Sequence, residues 1–254
     1  MNHPLLVCVA ILLASLIGQA QGRGGGRGGP PPTPKSSAAF DMTGYWVSIV
    51  TEDWRWRMFP NKGDYGGVPL NADARKIADA WDPAKDEASG EQCKSYGAPN
   101  IMRIPGRLHV TWQDDLTLKV ETDAGKQTRL FHFASTPAAG ADLQGVSKSE
   151  WELARPGLGF AIAGDRGGSQ GGSLKVTTTN LRPGNLRRNG IPYSANAKVT
   201  EYYDLVKQPN GGTYLVLTIT VEDPTYLNQP LITAVHFKKQ SDAAGWSPSP
   251  CVVR

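Results

Sequence analysis

Residues 198–224 read KVTEYYDLVKQPNGGTYLVLTITVEDP, and this stretch decides the fold. Val199, Glu201, Tyr203 and Leu205 alternate with Thr200, Tyr202 and Asp204. Leu215, Leu217, Ile219 and Val221 alternate with Val216, Thr218 and Thr220. A period of two places each set on one face of a strand. Between the two runs, Asn210-Gly211-Gly212 supplies residues that tolerate positive φ and so close a tight hairpin. The reading is a pair of long antiparallel strands with one buried face.

The same period recurs on both sides. Alternation predicts strands at 44–51, 53–59, 101–104, 107–113, 116–122, 128–133, 173–181, 198–207, 213–221 and 231–239. Turn signals such as Asp123-Ala-Gly125, Arg182-Pro-Gly184 and Asp223-Pro224 separate them. One helix is predicted at 72–81. Ala74, Ile77, Ala78 and Trp81 form an apolar stripe, Asn71 or Asp73 caps its start, and Pro83 stops it. Many strands beside one short flanking helix predict an all-β fold, an antiparallel β-barrel or closed sandwich. Trp112-Gln-Asp-Asp-Leu116 marks a second hairpin. A weak echo of it, Trp151-Glu152 followed by Leu174-Lys-Val176, is interrupted by the glycine-rich stretch 153–171. Such an insertion at a hairpin tip is expected to be the most mobile part of the domain, a lid or binding loop.

The chain has 254 residues, 39% hydrophobic and 20% charged, with a net charge of +4. That balance excludes collagen, coiled coil and wholesale disorder, and it does not argue for nucleic acid. Residues 5–17 are an unbroken run of small and apolar residues ending in Gly18-Gln19-Ala20, which reads as a signal peptide over residues 1–20. The alternative is an uncut anchor, although the run under-fills a bilayer. Residues 21–38, rich in glycine and proline, read as a flexible linker. Residues 39–254 then form a single domain with no transmembrane anchor after cleavage. Export removes Cys8 and leaves Cys93 and Cys251, which suggests one disulfide, two free thiols being the alternative.

Several landmarks run in order along the domain: Gly44-x-Trp46, Gln92-Cys93-x-x-x-Gly97-x-Pro99, Arg107-Leu-His-Val-Thr-Trp112, Trp151-Glu152, Thr200-Glu201-Tyr202-Tyr203 and Trp246-x-Pro248-x-Pro250-Cys251. Together they resemble a group of exported bacterial proteins with a lipocalin-like, calycin-type barrel. The resemblance implies a periplasmic or secreted location and a barrel fold, and it carries no activity with it.

Parity sorts the side chains. Leu108, Val110 and Trp112 share a face, as do Arg129, Phe131 and Phe133, and Leu174, Val176, Thr178 and Asn180. If the first strand continues past Thr51, then Trp46, Glu52, Trp54 and Trp56 share one also. The expected ligand-binding set is Trp46, Trp54, Trp56, Trp112, Arg129, Phe131, Asn180, Glu201 and Tyr203. Glu201 is the candidate catalytic residue, because a buried carboxylate must be paired or protonated. Arg129 is its natural partner, with Glu52 as the competing acid. His109, His132 and His236 lie on separate strands out of phase with the apolar faces, so no metal site is expected. Ser-x-x-Lys and His-Glu-x-x-His are absent and no cofactor motif is found. Three functions fit: a barrel binding a small, largely apolar or amphipathic molecule in its lumen, a lumenal isomerase or hydratase-type lyase using Glu201, or a structural envelope protein with a filled core.

Overall fold

The computed structural model describes residues 31–136, 140–153, 171–209 and 211–253. In chain order the strands are β1 (Gly44–Ile49), β2 (Arg107–Trp112), β3 (Thr117–Thr122), β4 (Thr128–His132), β5 (Val146–Leu153) and β6 (Gly172–Thr179). A short hairpin of β7 (Gly184–Asn185) and β8 (Pro192–Tyr193) follows, then β9 (Lys198–Lys207), β10 (Thr213–Glu222) and β11 (Leu231–Lys239). All but β7 and β8 close into a barrel in the order β1-β11-β10-β9-β6-β5-β4-β3-β2. The all-β barrel expected from alternation is therefore present. It is not wholly antiparallel. Nine strands cannot alternate in direction around a closed ring, and the mismatch falls between β4 and β5, which pair in parallel.

Several segments depart from the expected elements, among them β5 and the β7–β8 hairpin, which are absent from the expected strand set. The predicted strand 53–59 is instead a helical turn, α1 (Trp54–Arg57), because β1 ends at Ile49 and Asp53 turns the chain in the left-handed region at φ 51°. The predicted strand 101–104 is a 3₁₀ turn, Ile101–Arg103. Helix α2 (Ala72–Ala80) forms as expected, with the Asn71 side chain accepting from the Ala74 amide. Ala74 and Ala78 are fully buried, whereas Ile77 is 43% exposed. Pro83 both ends that stretch and opens a further helix, α3 (Pro83–Ala88), from the first-turn position where its missing N–H costs nothing.

The strand ends define two rims. Trp112, His132, Leu153, Gly172, Lys207, Thr213, Lys239 and Gly44 ring one end, called here the mouth. At the other, Ile49 hydrogen-bonds to Arg57 of α1, and the segments 50–106 and 181–197 contribute a cap. Cys93 and Cys251 form a disulfide spanning 158 residues of sequence, as the cysteine count suggested. The compact unit that holds the barrel runs from Pro32. Trp151 Nε1 donates to the Pro34 carbonyl at 2.9 Å, so the last residues of the expected linker lie on the barrel. The β5–β6 hairpin is present, with Leu153 facing Gly172. Of the insertion expected to be most mobile, residues 154–170 fall outside the described residues.

Candidate functional site

Parity placed the interior pair correctly. Arg129 on β4 and Glu201 on β9 meet inside the barrel with both side chains at 0% exposure. Arg129 Nη1 donates to Glu201 Oε1 at 2.8 Å and Nη2 to Oε2 at 2.6 Å, a two-pronged pairing. Nη2 also reaches Thr178 Oγ1 at 3.1 Å, and the Tyr203 hydroxyl donates to Glu201 Oε1 at 3.1 Å. The Phe131 ring lies under the guanidinium, 5.0 Å from its centre. Burial works against the Arg129 charge, but the Glu201 carboxylate overcomes it and raises the Arg129 pKa above its ordinary value. Burial first, and the Glu201 charge next, push the Tyr203 hydroxyl well above the usual phenol range. Both carboxylate oxygens of Glu201 are thus committed.

Val120, Phe131, Val176, Val199, Tyr203 and Leu217 around the pair all have 0% exposure. The barrel is packed shut at this level, with density expected of a core.

The other expected site residues scatter. Trp46 is fully buried, its indole N–H donating to the Met42 carbonyl at 2.9 Å. Trp112 is half-buried at the mouth against Phe133. Trp54 is 64% exposed on α1, and Trp56 bonds Asp64 at 3.1 Å outside the barrel. Neither walls the interior, because the strand that would have carried them inward stops at Ile49. Asn180 lies one residue past β6 with φ 56° and is exposed, so parity no longer applies to it. Glu52 is also outside, 3.1 Å from His236. His109 stacks on Tyr45 at 4.2 Å and faces Glu121.

The mouth carries an aromatic row that single-strand parity could not assemble. Phe40, Trp151, Phe133 and Trp112 follow one another at centroid spacings of 5.2, 5.7 and 5.5 Å. Beside it lies a cleft of about 570 Å³ lined by Ala39, Phe40, Asp41, Leu205, Lys207, Thr213 and Lys239, with Gly171 and Gly172 at its edge. Lys239 Nζ sits 5.4 Å over the Trp46 ring, so the cleft floor is an ammonium lying on an indole.

The cap carries a feature that sequence reading missed. Arg57, Arg103, Arg187 and Arg188 are only 2%, 3%, 4% and 7% exposed. Arg57 Nε donates to the Arg103 carbonyl at 3.0 Å and Nη1 to the Ile49 carbonyl at 2.7 Å. Arg187 Nη1 donates to the Gly66 carbonyl at 2.8 Å, and Arg188 Nη2 to the Arg57 carbonyl at 3.2 Å. Trp56 and Phe59 cover Arg187 and Arg188 with their ring faces at 5.1 and 4.0 Å. Burial, and next the neighbouring Arg103 charge, pull the Arg57 and Arg187 pKa values down to about 10. The residue pair Arg187-Arg188 and the run Trp54-Arg-Trp-Arg57 were visible in the sequence, but irregular segments have no period from which to infer burial.

One further motif is legible: Gly167-Gly-Ser169-Gln-Gly171 spells Gly-x-Ser-x-Gly. Ser169 lies outside the described residues, and the motif runs into the strand β6 at Gly172, whereas a nucleophile turn runs into a helix.

Among the described residues no group of His, Cys, Asp and Glu could hold a metal ion. No family model, curated protein or solved structure matches the chain.

Proposed function

We propose that this is an exported barrel protein that binds a small amphipathic molecule at its mouth, in the cleft between Phe40, Leu205, Lys207 and Lys239. The cleft itself carries the reading. Its volume of about 570 Å³ falls in the range of small-molecule sites. Phe40 and Leu205 offer an apolar wall, and two ammonium groups stand at its edge for an anionic head. A larger cleft, about 720 Å³, lies over the disulfide, but its lining has neither an aromatic residue nor a cation. The signal-peptide reading and the lipocalin-like resemblance support export.

This reading moves the ligand from the position expected beside Glu201 to the barrel's end. Proton transfer by Glu201 has little support, since both its oxygens are bonded to Arg129 and its side chain is fully buried. The filled interior favours a second reading, a structural envelope protein.

The test is titration of the mature, oxidised chain with decanoate, read by tryptophan emission, since Trp46 lies beneath Lys239. Saturable change is expected in the wild type and in E201Q, and weakening in Leu205→Glu and Lys239→Ala. No saturable change in the wild type would exclude the mouth as a site for such molecules and leave the structural reading.

A further inference from the structure

The buried arginines of the cap have hydrogen bonds without charge compensation. Arg57, Arg187 and Arg188 donate to backbone carbonyls, which satisfy N–H groups but carry no negative charge. Of the four, only Arg103 touches a carboxylate, Asp53 Oδ2 at 3.4 Å, and Asp53 is itself 38% exposed. The next nearest acid, Asp64, is held by Arg55 at 2.8 Å and by the Trp56 indole N–H. The guanidinium charges of Arg57 and Arg187 are each close enough to Arg103 to be destabilised by it.

Unused donors remain in the same place. Arg57 Nη2, Arg103 Nη1 and Arg188 Nε are buried without a hydrogen-bond partner. Arg57 and Arg188 each combine a buried positive charge, no carboxylate in contact and one unused N–H, and Arg103 has an unused N–H besides its Asp53 contact, an arrangement rare in proteins. The contrast with the barrel interior is instructive. There Arg129 also leaves its Nε without a partner, but its charge is matched by one carboxylate with a two-pronged geometry, which the cap arginines lack.

The geometry points to a binding site for a phosphoryl dianion, the phosphate group of inorganic phosphate or of a phosphomonoester, among Arg57, Arg103, Arg187 and Arg188. Guanidinium forks match the oxygen spacing of such groups, and several together favour two charges over one. Glu52 and Asp64 also attract this group, but Asp64 is engaged by Arg55 and Glu52 lies against His236, so only Asp53 touches one of the four cations. The site is independent of the mouth: Arg57 bonds to the far end of β1, at Ile49, whereas Lys239 pairs with Trp46 near that strand's start. Entry requires Trp56 or Phe59 to move, and Phe59 is 52% exposed at the surface over Arg188.

Calorimetric titration of the mature, oxidised chain with inorganic phosphate and separately with glycerol phosphate, each against chloride at matched ionic strength, tests this. One equivalent of a phosphoryl ligand should bind saturably. Arg103→Gln and Arg187→Gln should each weaken it about tenfold or more, the loss of a charged hydrogen bond, while Lys239→Ala leaves it unchanged. Tighter binding of glycerol phosphate assigns the site to an organic phosphate, and equal or tighter binding of inorganic phosphate assigns it to the free ion. Should either variant fail to fold, the Nε–H resonances of the wild-type arginines decide. The cap set should shift with phosphate while Arg129 stays fixed. Absence of saturable binding beyond chloride, or phosphate binding undiminished in both folded variants, would overturn the proposal.

Discussion

Replacing Glu201 by Gln isolates what the interior ion pair does. The amide is nearly the same size, so packing against Tyr203 and Val199 is kept. Its oxygen can still accept from Arg129 Nη1 and from the Tyr203 hydroxyl, now at 2.8 and 3.1 Å. Its NH₂ group, however, faces Arg129 Nη2, which loses its 2.6 Å partner. The guanidinium is left charged at 0% exposure without a counter-charge, and Nη2 keeps only Thr178. Breaking one half of a buried pair costs about 3–5 kcal/mol. For a chain of this size that corresponds to a fall in Tm of roughly 6–20 °C. The assay is urea unfolding of the oxidised protein, with the double variant Arg129→Met/Glu201→Leu alongside. The double variant should recover most of the loss, because well-packed apolar replacements of a buried pair are often neutral. A loss below about 1 kcal/mol in E201Q, or a double variant worse than E201Q, would refute the claim that the pair is held by mutual neutralisation.

Three other perturbations have expected outcomes. Tyr65 donates to Asp79 at 2.7 Å, and burial, then that carboxylate, push its pKa from 10.0 up to about 12. The raised value stabilises the fold fully below pH 10 and is lost as pH rises to about 12, so the difference in stability between wild type and Tyr65→Phe should narrow across that window; a constant difference would contradict it. Cys93→Ser/Cys251→Ser opens a loop of 158 residues, which the chain-entropy model sets at up to about 5 kcal/mol, and thiol titration of the denatured, unreduced wild type should find no free thiol. Gly190 has φ +81°, and a Cβ there would lie 2.2 Å from the Trp81 ring, so Gly190→Ala should cost about 2 kcal/mol or more by urea midpoint; an unchanged midpoint would show that the Trp81 packing is not needed.

What could be read from the sequence was what a strand's period constrains. Leu215, Leu217, Ile219 and Val221 on β10 are all buried, and the same parity carried Glu201 and Tyr203 inward on β9. Arg129 followed as the partner because a buried carboxylate needs a cation. Errors began where a period was extended beyond its strand. Trp54 and Trp56 were linked to Trp46 across Thr51-Glu52-Asp53, but Asp53 adopts a left-handed conformation and the chain leaves the sheet. Asn180 failed for the same reason at the end of β6. The arginine cap was illegible because it unites residues far apart in sequence: the Arg188 donor and the Arg57 carbonyl are 131 positions apart. The mouth's aromatic row joins Phe40, ahead of the first strand, to rings on β2 and β5 and just past β4. Neither gathering leaves a local signal.

The proposed function requires a barrel whose centre is closed and whose mouth receives a ligand. Methyl chemical-shift mapping of the mature, oxidised chain during titration with decanoate tests that most directly. The Leu205 methyls at the mouth should shift saturably while those of Val176, Val199 and Leu217, packed around Glu201, stay in place. Large shifts at Val176, Val199 and Leu217 would show that the interior opens to ligand and would contradict it.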